Sequence, residues 1–245
     1  MVTHDSNMMK LKDLAAQLQA AYGDTLKSVV LYGSAVAGEH IKKQSDFNVL
    51  VIVDHFPLDR LREVSAVTRA WRTQGNPPPL IFTEQEWRTS ADVFPMEYAD
   101  ILERHHVLYG EAPFEGIHVD PADLRLQAEN EVLGVVLRLR QGMLVAGTDA
   151  KAQLELMAAS LSTVMVVFRA ILRLHGEAAP QNYAELARDT GARAGFDPQP
   201  FYDVVHHVRG DRQIAKDRTG AVLAGYLRGV ETAAAHVDGL PSTRT

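Results

Sequence analysis

Apolar positions recur along this chain with two different periods. Leu11, Leu14, Leu18 and Tyr22 follow the three-to-four spacing of one helical face, and Gly23-Asp24 closes that run. Ser28 to Tyr32 (SVVLY) is short and β-branched and predicts a buried strand. Phe47 to Val53 (FNVLVIV) is the most apolar, most β-branched run of all and predicts a second. Between them the helical period is lost, and it returns from Leu58 to Trp71, with Leu58, Leu61, Val64, Val67 and Trp71 on one side. Asn76 and three prolines then lead into a third strand at Leu80 to Phe82, while Met96 to Leu102 and His106 to Tyr109 predict one or two more.

Beyond Pro121 the spacing is helical almost throughout. Val132, Leu133, Val136, Leu137, Leu139, Met143 and Leu144 make one stripe, and Leu154, Met157, Leu161, Val164, Met165, Phe168, Ile171 and Leu172 a cleaner one, with Asp149 as its N-cap. Shorter helices are expected near 182–190 and 201–208, and another from about 219 to 236. The switch falls in GEAPFEGIHVDP, rich in Gly, Pro and Asp. The expected fold is therefore α+β: an N-terminal mixed sheet with flanking helices over residues 1–118, then an all-α helical bundle over 119–245.

Charge divides at the same place. The chain carries a formal net charge of −6 from 25 basic and 31 acidic residues. The whole excess lies before residue 121, since the C-terminal part holds equal numbers of each sign. That balance argues against a nucleic-acid partner. The absence of cysteine removes disulfides, thiolate metal sites and a cysteine nucleophile, and suits a reducing compartment. The N-terminus has no charged-then-apolar leader, and Leu161 to Leu174, interrupted by Arg169 and Arg173, is too short and too charged to span a bilayer. A soluble, cytoplasmic protein with no membrane partner is expected.

Candidate chemistry begins where the first strand ends. Gly33-Ser34 between a strand and a helix start would present backbone N–H groups and a hydroxyl to an anion, with phosphate the natural occupant. Ser45-Asp46-Phe47-Asn48 follows at the head of the strongest strand, where residues 46 and 48 point to one face. An anion cradle beside two oxygen-bearing side chains able to ligate a metal is what transfer from a nucleoside triphosphate requires. Lys42 and Lys43 between them would steer triphosphate by charge, a solvated loop being the plain alternative. Adjacent histidines at 105–106 and 206–207 point apart and do not make a metal site.

The stretch LYGSAVAGEHIKKQSDFNVLVIV resembles the signature of the nucleotidyltransferase superfamily: apolar-Gly-Ser, about ten residues, then Asp-apolar-Asp. It is most similar to the aminoglycoside (streptomycin/spectinomycin) adenylyltransferase branch, over about residues 9 to 110. The resemblance implies Mg2+- or Mn2+-dependent transfer of a nucleoside monophosphate, from ATP or another triphosphate, to a hydroxyl of a small-molecule acceptor. Gly33, Ser34 and Lys42 would then bind nucleotide, and Asp46 would ligate metal. Asn48 stands where the family has a second metal carboxylate, and Leu80 to Phe82 supply no third one. Glu97 and Asp100 are the candidates to replace it. If Met96 to Leu102 is a strand they have opposite parity, and Asp100, deeper in the run and costlier to bury unpaired, is favoured as the metal ligand. The neutral Asn48 keeps a second reading open, a degenerate, non-catalytic nucleotide-binding or partner-regulating module. A third reading, a helix-turn-helix in AELARDTGARAGFDPQPFYDVV with Gly191 at its turn, lacks a basic footprint.

Overall fold

Two antiparallel strands form the centre of the N-terminal part because their side chains are apolar on both faces. In the computed structural model, which describes residues 2–33, 36, 47–56 and 58–241 and side chains from residue 11 onward, these are β1 (Leu26–Tyr32) and β2 (Asn48–Val53). Val29 and Val30 are both fully buried, as are Leu50 and Val51, so neighbours of opposite parity are covered alike. β3 (Leu80–Thr83) joins β2 in parallel, and β4 (His105–Gly110) joins β1 antiparallel, giving a mixed sheet in the order β3-β2-β1-β4.

One face of this sheet is covered by α1 (Val2–Tyr22) and α2 (Leu61–Thr73), whose Leu11, Leu14, Leu18, Val64 and Trp71 pack with Val29, Leu31, Val49 and Val51. Phe47 sits at the same edge, its ring 6.0 Å from that of Trp71, and its N–H donates to Asn76 Oδ1 at 3.1 Å. That bond anchors the entry to β2. Leu58 and Leu61, expected on the buried side, are 72 % and 47 % exposed, because a short 3-10 turn over Leu58–Arg60 precedes the helix and turns both outward.

α3 (Glu84–Thr89) and α4 (Pro95–Glu103) follow β3. The segment from Met96 to Leu102 is thus a helix and not a strand. Proline at its first position has φ preset for a helix, and Pro95, Tyr98 and Ile101 are buried three residues apart, a helical period. Trp87 stacks on Tyr98 at 4.1 Å, its indole N–H donates to the Pro113 carbonyl and the Tyr98 hydroxyl to the Trp87 carbonyl.

The chain divides into two compact units, residues 1–118 and 119–245. The second is all helix: α5 (Pro121–Ala146), α6 (Ala150–Leu174), α7 (Tyr183–Ala194), α8 (Gln199–Arg209) and α9 (Thr219–Asp238). Asp120, Asp149 and Asn182 cap α5, α6 and α7 through their side-chain oxygens. Phe168, Phe196, Phe201 and Tyr226 form an aromatic centre with ring separations between 4.7 and 5.2 Å. Gly191 lies within α7 against Phe196, and the turn toward α8 is made at left-handed Gly195 instead. Arg169 is buried with its guanidinium over the Tyr183 ring.

Two stripes behave differently from the sequence pattern. On α5 only Val132, Val136 and Leu139 of the expected set are buried, joined by Val135, while Leu133, Leu137 and Leu144 are exposed on another side. α6 begins eleven residues before Leu161, so it is long and apolar enough, with a mean hydropathy of 1.7, to cross a membrane by length and composition. Its stripe is engaged by packing within its own unit, with Met157, Val164, Phe168 and Ile171 buried.

Candidate functional site

Gly33, Asn48 and the end of the α4 segment come together at the C-terminal end of β1. Tyr32 pairs with Asn48 across the β1–β2 ladder and with His105 across the β1–β4 ladder. Register places Tyr32 and Asn48 on the same sheet face as Val30 and Leu50, opposite the face that carries α1 and α2. Gly33 follows at φ +82°, a left-handed conformation that side chains disfavour. A Cβ there would lie 3.3 Å from Asn48 Nδ2, so the bare face of Gly33 looks onto that amide.

The N–H of Gly33 donates to the Arg104 carbonyl at 3.2 Å, and the Arg104 N–H donates to the Asp100 carbonyl at 3.0 Å. The end of α4 is thereby tied to the end of β1. The donor of Gly33 is already engaged in this bond, and the turn is continued by the Val36 N–H donating to its carbonyl. Ser34, Lys42 and Asp46 lie outside the described residues.

Glu97 and Asp100 sit one turn apart on α4, Glu97 exposed and Asp100 half-buried. On a strand they would face opposite ways, whereas three residues on a helix puts them on one side, so strand parity no longer separates them. Both act on the Tyr32 hydroxyl. Its pKa is pushed up to about 12, first by burial, then by the negative charge of Glu97 and of Asp100. A neutral phenol, a side-chain amide and two carboxylates thus share one corner with a left-handed glycine.

Tyr32 and Arg104 were not singled out by sequence reasoning. Tyr32 immediately precedes Gly33, and that adjacency was the available signal. The part of Arg104 is played by its backbone, which no pattern of side chains reports. His105 caps the corner from β4, its Nδ1 2.8 Å from the Ile101 carbonyl and its ring 4.0 Å from that of Phe114.

The oxygen donors suit a hard divalent cation such as Mg2+ or Mn2+. Among the described residues, no group of three or more His, Cys, Asp or Glu side chains is placed to hold a metal. Asn48, Glu97 and Asp100 would therefore need Asp46 to complete a set. A cavity of about 270 Å³ opens elsewhere, at the start of β1, lined by Lys27, Ser28, Ile52, Trp87 and Arg88. Four strand residues, roughly 13 Å, separate Ser28 from Tyr32, and none of the expected site residues lines it.

No protein-family model matches this chain, and no curated protein matches it. Among solved structures it is similar to the spectinomycin adenyltransferase AAD(9) from Enterococcus faecialis, determined with ATP and spectinomycin. The likeness covers 95% of this chain and 99% of that one, with a TM-score of 0.59 at 13% sequence identity. At that identity it is a likeness of fold. A four-stranded mixed sheet with flanking helices, followed by C-terminal helices, is an α+β, nucleotidyltransferase-like fold.

Proposed function

We propose that this protein is a nucleotidyltransferase of the aminoglycoside-adenylyltransferase kind, moving a nucleoside monophosphate from ATP or another triphosphate to a hydroxyl of a small acceptor. One observation carries the reading: Gly33 and Asn48 meet at one sheet end, and the bond from the Gly33 N–H to the Arg104 carbonyl ties to it the end of α4, the helix that bears Glu97 and Asp100. The fold is that of a neighbour determined with ATP and spectinomycin, which supports a nucleotide and a small hydroxylated molecule as the two substrates.

In this reading Gly33 and Ser34 hold the triphosphate, with Lys42 adding positive charge. Asp46, Asn48 and Asp100 would hold Mg2+, which supplies neutralisation of phosphate charge. The acceptor hydroxyl attacks the α-phosphorus, the bond to the bridging oxygen breaks and pyrophosphate leaves. A carboxylate takes the hydroxyl proton, with exposed Glu97 or half-buried Asp100 of α4 serving as that base. Tyr32, kept neutral at physiological pH, can donate a hydrogen bond at the same corner. A triphosphate-consuming reaction and a cysteine-free chain both fit the cytoplasm.

Asn48 supports a second reading, nucleotide binding without transfer, because an amide gives a divalent ion no charge to offset. Calorimetry with Mg·ATP tests the shared part. Wild type should bind and Asp46→Ala should not, and equal affinities would refute the site. Pyrophosphate release with spectinomycin and related hydroxylated amines then separates transfer from binding alone.

A further inference from the structure

The core of the C-terminal unit accounts for one side of α5 and leaves the opposite side unexplained. Leu126, Leu133, Leu137 and Leu144 are 56 %, 47 %, 56 % and 87 % exposed, although the same helix buries Val132, Val135, Val136 and Leu139. At about 100° per residue the four exposed leucines lie within about 20° of a single line running roughly 27 Å along the helix. They face away from the buried set. Roughly 400–500 Å² of apolar surface is exposed in this one stripe, the size at which a patch marks an interaction site.

The spacing of the stripe identifies what covers it. The intervals are seven, four and seven residues, which read the same from either end about a centre at position 135. A palindromic stripe is what an antiparallel contact between two copies of one helix requires, since a two-fold axis at the centre exchanges its ends. Leu126 then meets the partner's Leu144, and Leu133 the partner's Leu137. The polar rims match in the same register. Glu129 and Arg140 flank the stripe on one side, each already paired within its own copy, Glu129 with Arg125 at 3.2 Å and Arg140 with Glu231 at 2.8 Å, and the two-fold brings these two ion pairs beside one another. On the other side, exposed Asn130 comes opposite the partner's Gln141. With these rims included, two copies would bury about 1,000 Å², the lower limit of specific interfaces.

We propose that the chain forms a two-fold dimer through antiparallel packing of α5 on the α5 of a second copy. Sedimentation velocity should show a dimer at micromolar concentration. Leu133→Glu combined with Leu137→Glu should halve the mass and raise the dissociation constant at least about a hundredfold, with helical content and melting temperature retained because both side chains are exposed. Should that variant fail to fold, Leu133→Gln with Leu137→Gln serves the same purpose. Register is read by cross-linking, which is clean because the chain has no cysteine. Leu126→Cys mixed with Leu144→Cys should give an oxidised heterodimer, and neither protein alone should cross-link. A wild type that stays monomeric to about 100 μM, a dimer that survives both double variants, or cross-linking of either single variant with itself would overturn the proposal.

Discussion

Gly33→Ala should destabilise the N-terminal unit by about 1–2 kcal/mol, the cost of holding a side chain in the left-handed region. Gly33 sits at φ +82°, and the added Cβ would approach Asn48 Nδ2 to 3.3 Å. That contact asks a terminal amide to give by a few tenths of an ångström, adding only a few tenths of a kcal/mol. Gly75 provides the matched control: its φ is +89° and a Cβ there meets nothing within 4 Å. Gly75→Ala should therefore show the backbone cost alone and Gly33→Ala slightly more. Both tryptophans, Trp71 and Trp87, lie in residues 1–118 and are buried, so urea unfolding followed by their fluorescence reports this unit. With a slope of about 1.5 kcal/mol per molar urea, each midpoint should fall by about 1 M. Mg·ATP binding then separates the two positions, since Gly75→Ala should bind as wild type and Gly33→Ala should bind more weakly. A loss below about 0.3 kcal/mol for Gly33→Ala beside a full loss for Gly75→Ala would refute the requirement for positive φ at the site.

Asn48→Asp should tighten divalent-ion binding by adding a charged ligand beside Gly33; a manganese titration unchanged from wild type would mean that residue 48 does not face the metal. The raised pKa of Tyr32 contributes stability that is complete below pH 10 and lost as pH rises from 10 through about 12, so Tyr32→Phe should flatten alkaline unfolding over that window. Combining Glu97→Gln with Asp100→Asn should lower the Tyr32 titration seen by tyrosine NMR but leave it above 10, because burial is the larger cause; no movement would remove the two carboxylates from the corner. In the helical unit His236 is held below its ordinary value of 6.5 by burial and by His175, whose Nε2 lies 2.8 Å from its own. Its contribution is present above pH 6.5 and lost as pH falls through the lower folded value, and His236→Gln should make circular-dichroism melts insensitive to pH there.

The central strands and the long helices were legible in the sequence because their burial is dense enough to impose a period. SVVLY and FNVLVIV are apolar at both parities, which only a sheet covered on both faces satisfies, and α6 repeats its stripe over about five turns. Asn48 and Gly33 could be nominated from residue type and position alone. The α4 segment could not, because nine residues hold too few repeats to distinguish alternation from a helical period, and the local sign was Pro95. That one difference changes the corner: a strand would have set Glu97 against Asp100, and the helix puts both on one side, where the charge of each adds to burial in raising the Tyr32 pKa. The bond from the Gly33 N–H to the Arg104 carbonyl joins backbone atoms 71 positions apart, and side-chain patterns carry no information about it. The two stripes of α5 show the same limit, since the sequence marks both as apolar and only the packing of α6 and α9 against one of them determines which is core. Local periodicity is set by the chain's own geometry, whereas a site built from several elements exists only once tertiary packing has chosen which faces meet.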